Sequence, residues 1–283
     1  MKTTLRPLAV CLIAGIAFPA TAADMLVDPP VMPAPVPEPA KSGYGSGYVE
    51  GSFEIHSGRD GKKDEDRWSL RGTHSVNFAK DLNVQVDVAY RKVDGCCADD
   101  STFSGTLHLF KRDPGRFAIG AWGHLAQNED AIGKQSDLLA GGLEAAAFMG
   151  EISILGHIGL GVNETDTTEQ DVTIGGLEGR YYATDNVRFD AKLNMDHTQL
   201  SKLAEHTSTH FALQANWRMD QAPVSLFAGY RYEHEHLDIE GANLDPTGAD
   251  VIYVGARFHW GSESLKHEER HGALWQTNGA VGD

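Results

Sequence analysis

Leu82-Asn83-Val84-Gln85-Val86-Asp87-Val88-Ala89-Tyr90-Arg91 changes character at every residue. An amphipathic helix repeats its apolar positions about every 3.6 residues. A period of two instead sets Leu82, Val84, Val86, Val88 and Tyr90 on one face of an extended strand and Asn83, Gln85, Asp87 and Arg91 on the other. Phe211, Leu213, Ala215, Trp217 and Met219 alternate in the same way with Ala212, Gln214, Asn216 and Arg218, as do Val187, Phe189, Ala191, Leu193 and Met195 with Arg188, Asp190, Lys192 and Asn194.

Working outward, the pattern predicts strands near 48–56, 68–78, 82–91, 102–110, 117–125, 138–149, 152–161, 172–182, 187–196, 210–219, 224–233 and 251–260. Each is about the length a tilted strand needs to cross a bilayer. Short connections such as Gly150 to Glu151 take turns with long ones such as His234 to Asp250. Short turns at one end and long loops at the other are the bookkeeping of a membrane barrel, and an even strand count returns both termini to the turn end. The expected fold is an all-β, transmembrane, antiparallel up-and-down β-barrel of twelve strands. Ten would result if the Gly- and Ala-rich segments 138–149 and 152–161 form fewer strands than the pattern assigns.

Charge placement fits one face per environment. Alternation directs Glu50, Glu54, Asp87, Glu144, Glu178, Asp190, Asp196 and Glu233 inward, together with Arg71, Arg91, Arg180, Arg188, Lys192, Arg218, Arg231 and Arg257. The outward face receives no charge in the predicted strands, as it must if it meets lipid, where an Arg or Lys at mid-membrane costs about 2–4 kcal/mol. His74 points outward and has no account at this level. The long loops hold 20 acidic against 7 basic residues, a net −13, which keeps loops apart and soluble, attracts cations, or bridges through divalent ions to lipopolysaccharide phosphates.

The chain divides into four parts. Residues 1–23 carry Lys2 and Arg6, an apolar run from Leu8 to Phe18 and Ala20-Thr21-Ala22-Ala23, the layout of a cleaved signal peptide and too short an apolar run to span a bilayer. Residues 24–43 hold six prolines between Pro29 and Pro39 and read as an extended periplasmic linker. The barrel occupies 44–260, and 261–283 reads as a polar periplasmic tail. Without the signal, 22 basic residues (24 less Lys2 and Arg6) face 40 acidic ones, a net −18 that argues against a nucleic-acid partner. Cys96 and Cys97 adjoin in a long loop and could oxidise to each other or remain thiols.

Tyr253, Gly255, Phe258 and Trp260 in the last predicted strand resemble the terminal-strand signal read by the outer-membrane assembly machinery. In most bearers of that signal the aromatic residue ends the chain, whereas here residues 261–283 follow it. In organisation, residues 48–260 are similar to the small porin-like barrels of Gram-negative outer membranes. The resemblance implies location in the cell outer membrane, contact with its lipid and lipopolysaccharide, and assembly by the barrel machinery. Homo-oligomers and periplasmic or peptidoglycan contacts through the linker or tail are further expectations.

Thirteen histidines raise the question of metal. His234-Glu235-His236, with His206 and His210 flanking the neighbouring connection, could offer zinc or copper ligands, yet no metal or cofactor is expected. His108 and His124 are expected to lie near opposite ends of the barrel and not to meet. Gly156-His157-Ile158-Gly159 lacks the serine a barrel hydrolase would need, so no catalytic residues are assigned. Two functions follow from the polar lumen: passive diffusion of small hydrophilic solutes or ions through a narrow channel, or a non-conducting structural barrel that contributes to envelope integrity.

Overall fold

A computed structural model describes residues 45–59, 64–95, 99–129, 135–165, 168–201, 204–242 and 244–276. The signal segment, the proline-rich stretch, Cys96 and Cys97 lie outside the described residues. Twelve strands, β1 (Ser46–Arg59), β2 (Glu65–Ala79), β3 (Leu82–Gly95), β4 (Asp99–Asp113), β5 (Phe117–Glu129), β6 (Gln135–Met149), β7 (Ile152–Thr165), β8 (Glu169–Thr184), β9 (Val187–Ser201), β10 (Ala204–Arg218), β11 (Val224–Ile239) and β12 (Thr247–Trp260), precede one short helix, α1 (Leu265–His271). Each strand pairs antiparallel with its sequence neighbour, and β1 closes the sheet on β12 from Gly47↔Trp260 to Arg59↔Gly248.

The Gly- and Ala-rich pair does form two strands, β6 and β7, which settles the count at twelve. Their small residues make room for a large one. The Trp122 ring lies inward over β7, and a Cβ at Gly159 would stand 2.4 Å from its edge. The strands are also longer than the apolar alternation suggests. β1 runs to Arg59 and β2 begins at Glu65, so much of the expected loop is strand that continues beyond the bilayer-crossing length. Polar rim residues go on pairing because backbone hydrogen bonding does not require an apolar side chain.

The two faces differ as the alternation requires. Val49, Phe53, Leu107, Leu125, Leu143, Ile158, Leu193 and Val254 are exposed on the outer surface. Glu50, Asp87, Glu144, Arg188, Asp190 and Arg257 are buried inside. Outward charges cluster at strand ends, Lys111 near the turns and Asp66, Lys92, Asp137 and Asp250 near the loops. An apolar outside around a charged inside is the polarity of a protein dissolved in lipid, and this is a transmembrane β-barrel of the outer-membrane kind.

His74 has a physical account here. It faces outward near the turn end, where Trp260 Nε1–H donates to its Nδ1 at 3.2 Å and the two rings stack 6.0 Å apart. That is the interfacial level, where amphipathic aromatic rings are favoured. Trp68 and Tyr90, 5.3 Å apart, form the matching aromatic pair towards the loops. Leu143 sits between these levels at 66% exposure. Leu143→Arg is expected to destabilise the bilayer-embedded protein by about 2–4 kcal/mol, checked by urea titration in vesicles against Leu143→Ile, which should stay within about 1.5 kcal/mol of the parent.

Candidate functional site: the charged lumen and its C-terminal segment

Inward charges form networks stacked along the barrel axis. Nearest the loops, Arg231 Nη2 donates to Glu54 at 2.7 Å and approaches Glu233 at 3.0 Å, while Arg67 lies 3.5 Å from Glu233. His56 joins the group 3.1 Å from Glu54. Lower down, Arg257 donates to Glu50 at 2.5 Å, with Arg71 at 3.9 Å from the same carboxylate. The Arg257 guanidinium also lies over the rings of Phe227 and Tyr48, at 4.6 and 5.3 Å. Gly255 permits this stack, because a Cβ there would meet the Phe227 ring at 2.3 Å. Across the lumen, Arg188 pairs with Asp190 at 2.7 Å and Lys192 lies 3.6 Å from Glu178. Arg91 donates to Thr102 at 3.5 Å.

Asp87 and Glu144 converge on one ring. His108 places Nε2 at 3.1 Å from Asp87 and Nδ1 at 2.9 Å from Glu144. His124 instead bonds Thr106 at 2.8 Å. Register pairs Thr106 with His124 and His108 with Trp122, so the two histidines are diagonal neighbours on one wall and not at opposite ends. The histidines weighed as metal ligands do not come together. His234 and His236 project outward, His206 and His210 inward, and His210 bonds Ser208 at 2.7 Å. No cluster of three or more metal-ligating side chains occurs among the described residues. In β12, Tyr253 and Gly255 face the lumen while Phe258 and Trp260 face outward.

An interior cavity of about 130 Å³ lies in the middle of the lumen. Arg71, Arg91, Lys192, Arg231 and Arg257 line it against Glu50 and Glu54, with Gln276 at its boundary. Gln276 belongs to the segment that follows the barrel. Gly261 turns the chain at φ +71°, where a Cβ would strike the Gly45 carbonyl at 2.2 Å. Ser264 then caps α1 by accepting from the His267 N–H at 3.0 Å. After Gly272 an irregular run, Ala273-Leu274-Trp275-Gln276, enters the lumen.

Polar groups from many strands hold this segment. Gln85 reads its backbone at both edges, donating to the Trp275 carbonyl at 2.9 Å and accepting from the Leu274 and Trp275 N–H groups at 2.8 and 3.2 Å. Arg112 donates to the carbonyls of Glu269 and Gly272, at 3.1 and 2.7 Å. Arg180 donates to the Glu269 carboxylate at 2.9 Å and the Leu274 carbonyl at 3.1 Å. Lys192 reaches Gln276 at 2.8 Å, and Arg218 reaches the Ser262 carbonyl at 2.6 Å. Apolar packing completes the seat. Leu274 and Trp275, 1% and 3% exposed, cluster with Phe110, Ala118, Ala146, Phe148 and Leu155. The polar tail expected over 261–283 is therefore, as far as Gln276, a segment folded into the turn end of the barrel.

Ser225, His259 and Glu268 form a further chain, with the Ser225 hydroxyl 2.7 Å from His259 Nε2 and Nδ1 3.0 Å from the Glu268 carboxylate. Hydroxyl, imidazole and carboxylate in that order are the parts that activate a serine nucleophile. Here Ser225 is 1% exposed and does not line the central cavity, and the chain ties α1 to the wall.

The wall residues were partly legible. Arg218, Lys192 and Arg180 come from alternation, whereas Arg112 falls where a turn is expected. The overlooked signal is the run of inward apolar residues, Phe110, Ala118, Ala146, Phe148 and Leu155, all towards the turn end. Of the three inward apolar clusters among the described residues, this one at the turn end is the one that Leu274 and Trp275 complete.

Glu269 makes docking sensitive to acid. Burial alone would raise its carboxyl pKa, but the charges of Arg180 and Arg188 and the Ser153 hydroxyl, 2.5 Å away, outweigh that and hold it below the ordinary value of 4.5. A carboxyl depressed when docked stabilises docking fully above its undocked pKa and loses that contribution as pH falls through the docked one. Release of the segment, followed by tryptic cleavage after Arg270, is thus expected to rise as pH drops below about 4.5 in pulses quenched to neutral pH. Glu269→Gln should remove that dependence and give raised cleavage at every pH.

No protein-family model matches the sequence. No curated protein matches it either. Among solved structures, OmpT, an outer membrane protein of Vibrio cholerae, is similar over 76% of this chain and 98% of its own, at 11% identity and a TM-score of 0.45. The β domain of the Bordetella autotransporter BrkA is similar at 12% identity and a TM-score of 0.49, covering 76% of this chain and 100% of its own. The KdgM porin is similar at 9% identity and a TM-score of 0.42, covering 75% of this chain and 99% of its own.

Proposed function

We propose that this barrel is a narrow, porin-like channel of the outer membrane for small hydrophilic solutes or ions, with its turn end in the periplasm and its acidic rim outside. The observation that carries the reading is the cavity of about 130 Å³ lined mostly by charged and polar side chains. A barrel that needed only to be stable could fill the same space with apolar side chains, since a buried ion pair is seldom worth more than good apolar packing. Keeping Arg71, Arg91, Lys192, Arg231 and Arg257 around an open volume suits water and solute.

A second reading is favoured by the docked C-terminal segment. Contacts from Gln85 and Arg112 on one side and Lys192 and Arg218 on the other span the lumen, which suits a non-conducting structural barrel. Ion flow decides between the two. Purified, refolded protein in planar bilayers is expected to open in small steps. Arg91→Glu, which changes the charge of the cavity wall by two, should shift the reversal potential in a salt gradient towards cations. A protein that never opens, or whose selectivity ignores Arg91→Glu, would contradict the channel reading.

A further inference from the structure

We infer that the turn end of the lumen is a peptide receptacle and that residues 261–276 are its own releasable occupant, a stopper that leaves while the barrel stays folded. The seat reads backbone as well as side chains. Gln85 meets both the N–H and C=O edges of Leu274-Trp275, and Arg112 caps two carbonyls around α1. Trp275 fills a pocket against Phe110 and His108, with ring centroids 5.7 and 6.4 Å away. The ligand class is thus a short helical turn with a buried glutamate, followed by an irregular Leu-Trp pair.

Release is built into the way the segment is held. It adds no strand to the sheet, and a single backbone hydrogen bond between it and the wall, Lys266 N–H to the Asp185 carbonyl at 3.1 Å, is found among the described residues. Side chains make the other hydrogen bonds. The segment can therefore depart without breaking a β ladder, pivoting at Gly261, whose positive φ and lack of a Cβ suit a hinge. Undocked, Gln85, Arg112 and Arg180 would face water, where their hydrogen bonds are readily replaced. Regions held by few backbone bonds open more easily than the elements around them.

The consequence for flow rests on the channel reading, whereas release itself does not. Hydrogen exchange of the full chain in lipid nanodiscs, read by mass spectrometry, tests release. Peptides covering Leu265–Gln276 are expected to exchange at least about a hundredfold faster than those of β3 and β8, and Trp275→Ala should accelerate them by a further factor of about ten or more with the strand peptides unchanged. If segment and strands exchange together in both proteins, the segment is a permanent part of the fold and the inference fails. Bilayer conductance of the same two proteins tests the stopper. More frequent or larger openings in Trp275→Ala support it, and equal conductance in two open proteins overturns it. If neither conducts while exchange still separates segment from strands, release stands and the channel reading falls.

Discussion

A chain that crosses hydrocarbon must pair every backbone N–H and C=O within itself, because lipid offers no partner and each unpaired group costs several kcal/mol. For strands, that requirement is met only by a sheet with no edge. The junction of β1 with β12, from Gly47↔Trp260 to Arg59↔Gly248, is therefore the contact on which the rest depends. Once the sheet is closed, side-chain period two has one meaning around the whole ring: alternate residues of each strand see lipid or lumen. Val49 and Glu50 are adjacent in sequence and lie in opposite solvents.

Closure also creates an interior that must be satisfied. Twelve strands enclose more space than their own side chains fill, so the lumen needs water, paired charges or an inserted segment. Paired charges, an open cavity and an inserted segment occur in one tube. Charges pair towards the loops around Glu54, Arg231 and Glu233, and an open cavity lies beside Arg71 and Arg257. Towards the turns, Leu274 and Trp275 fill the space that Phe110 and Phe148 leave. A solute path along the axis and a docked segment compete for the same lumen, and this links fold to function.

Most of the barrel was legible because a membrane applies one rule uniformly. Leu82 to Arg91 alternates cleanly since each outward residue meets lipid and each inward one meets polar lumen. The rim was less legible: Ser57, Asp66 and Asp250 are polar on both faces, so their strands carry no hydrophobic period. Position along the axis was harder still. Alternation assigns a face but not a height, and His108 and His124 were misjudged for that reason, becoming diagonal neighbours through the β4–β5 register. The docked segment was hidden because Glu268, Glu269 and Arg270 look solvent-bound until His259, Arg180 and Ser153 supply their partners.

The central claim is that the chain's own C-terminal segment lies inside a closed twelve-stranded barrel, seated on the apolar patch at its turn end. Proton–proton Overhauser contacts of the Trp275 indole, measured on the full chain in lipid nanodiscs, test it most directly. The account predicts cross-peaks from Trp275 to the rings of Phe110 and His108. An indole that shows cross-peaks only to water or lipid, with none to Phe110, would contradict it.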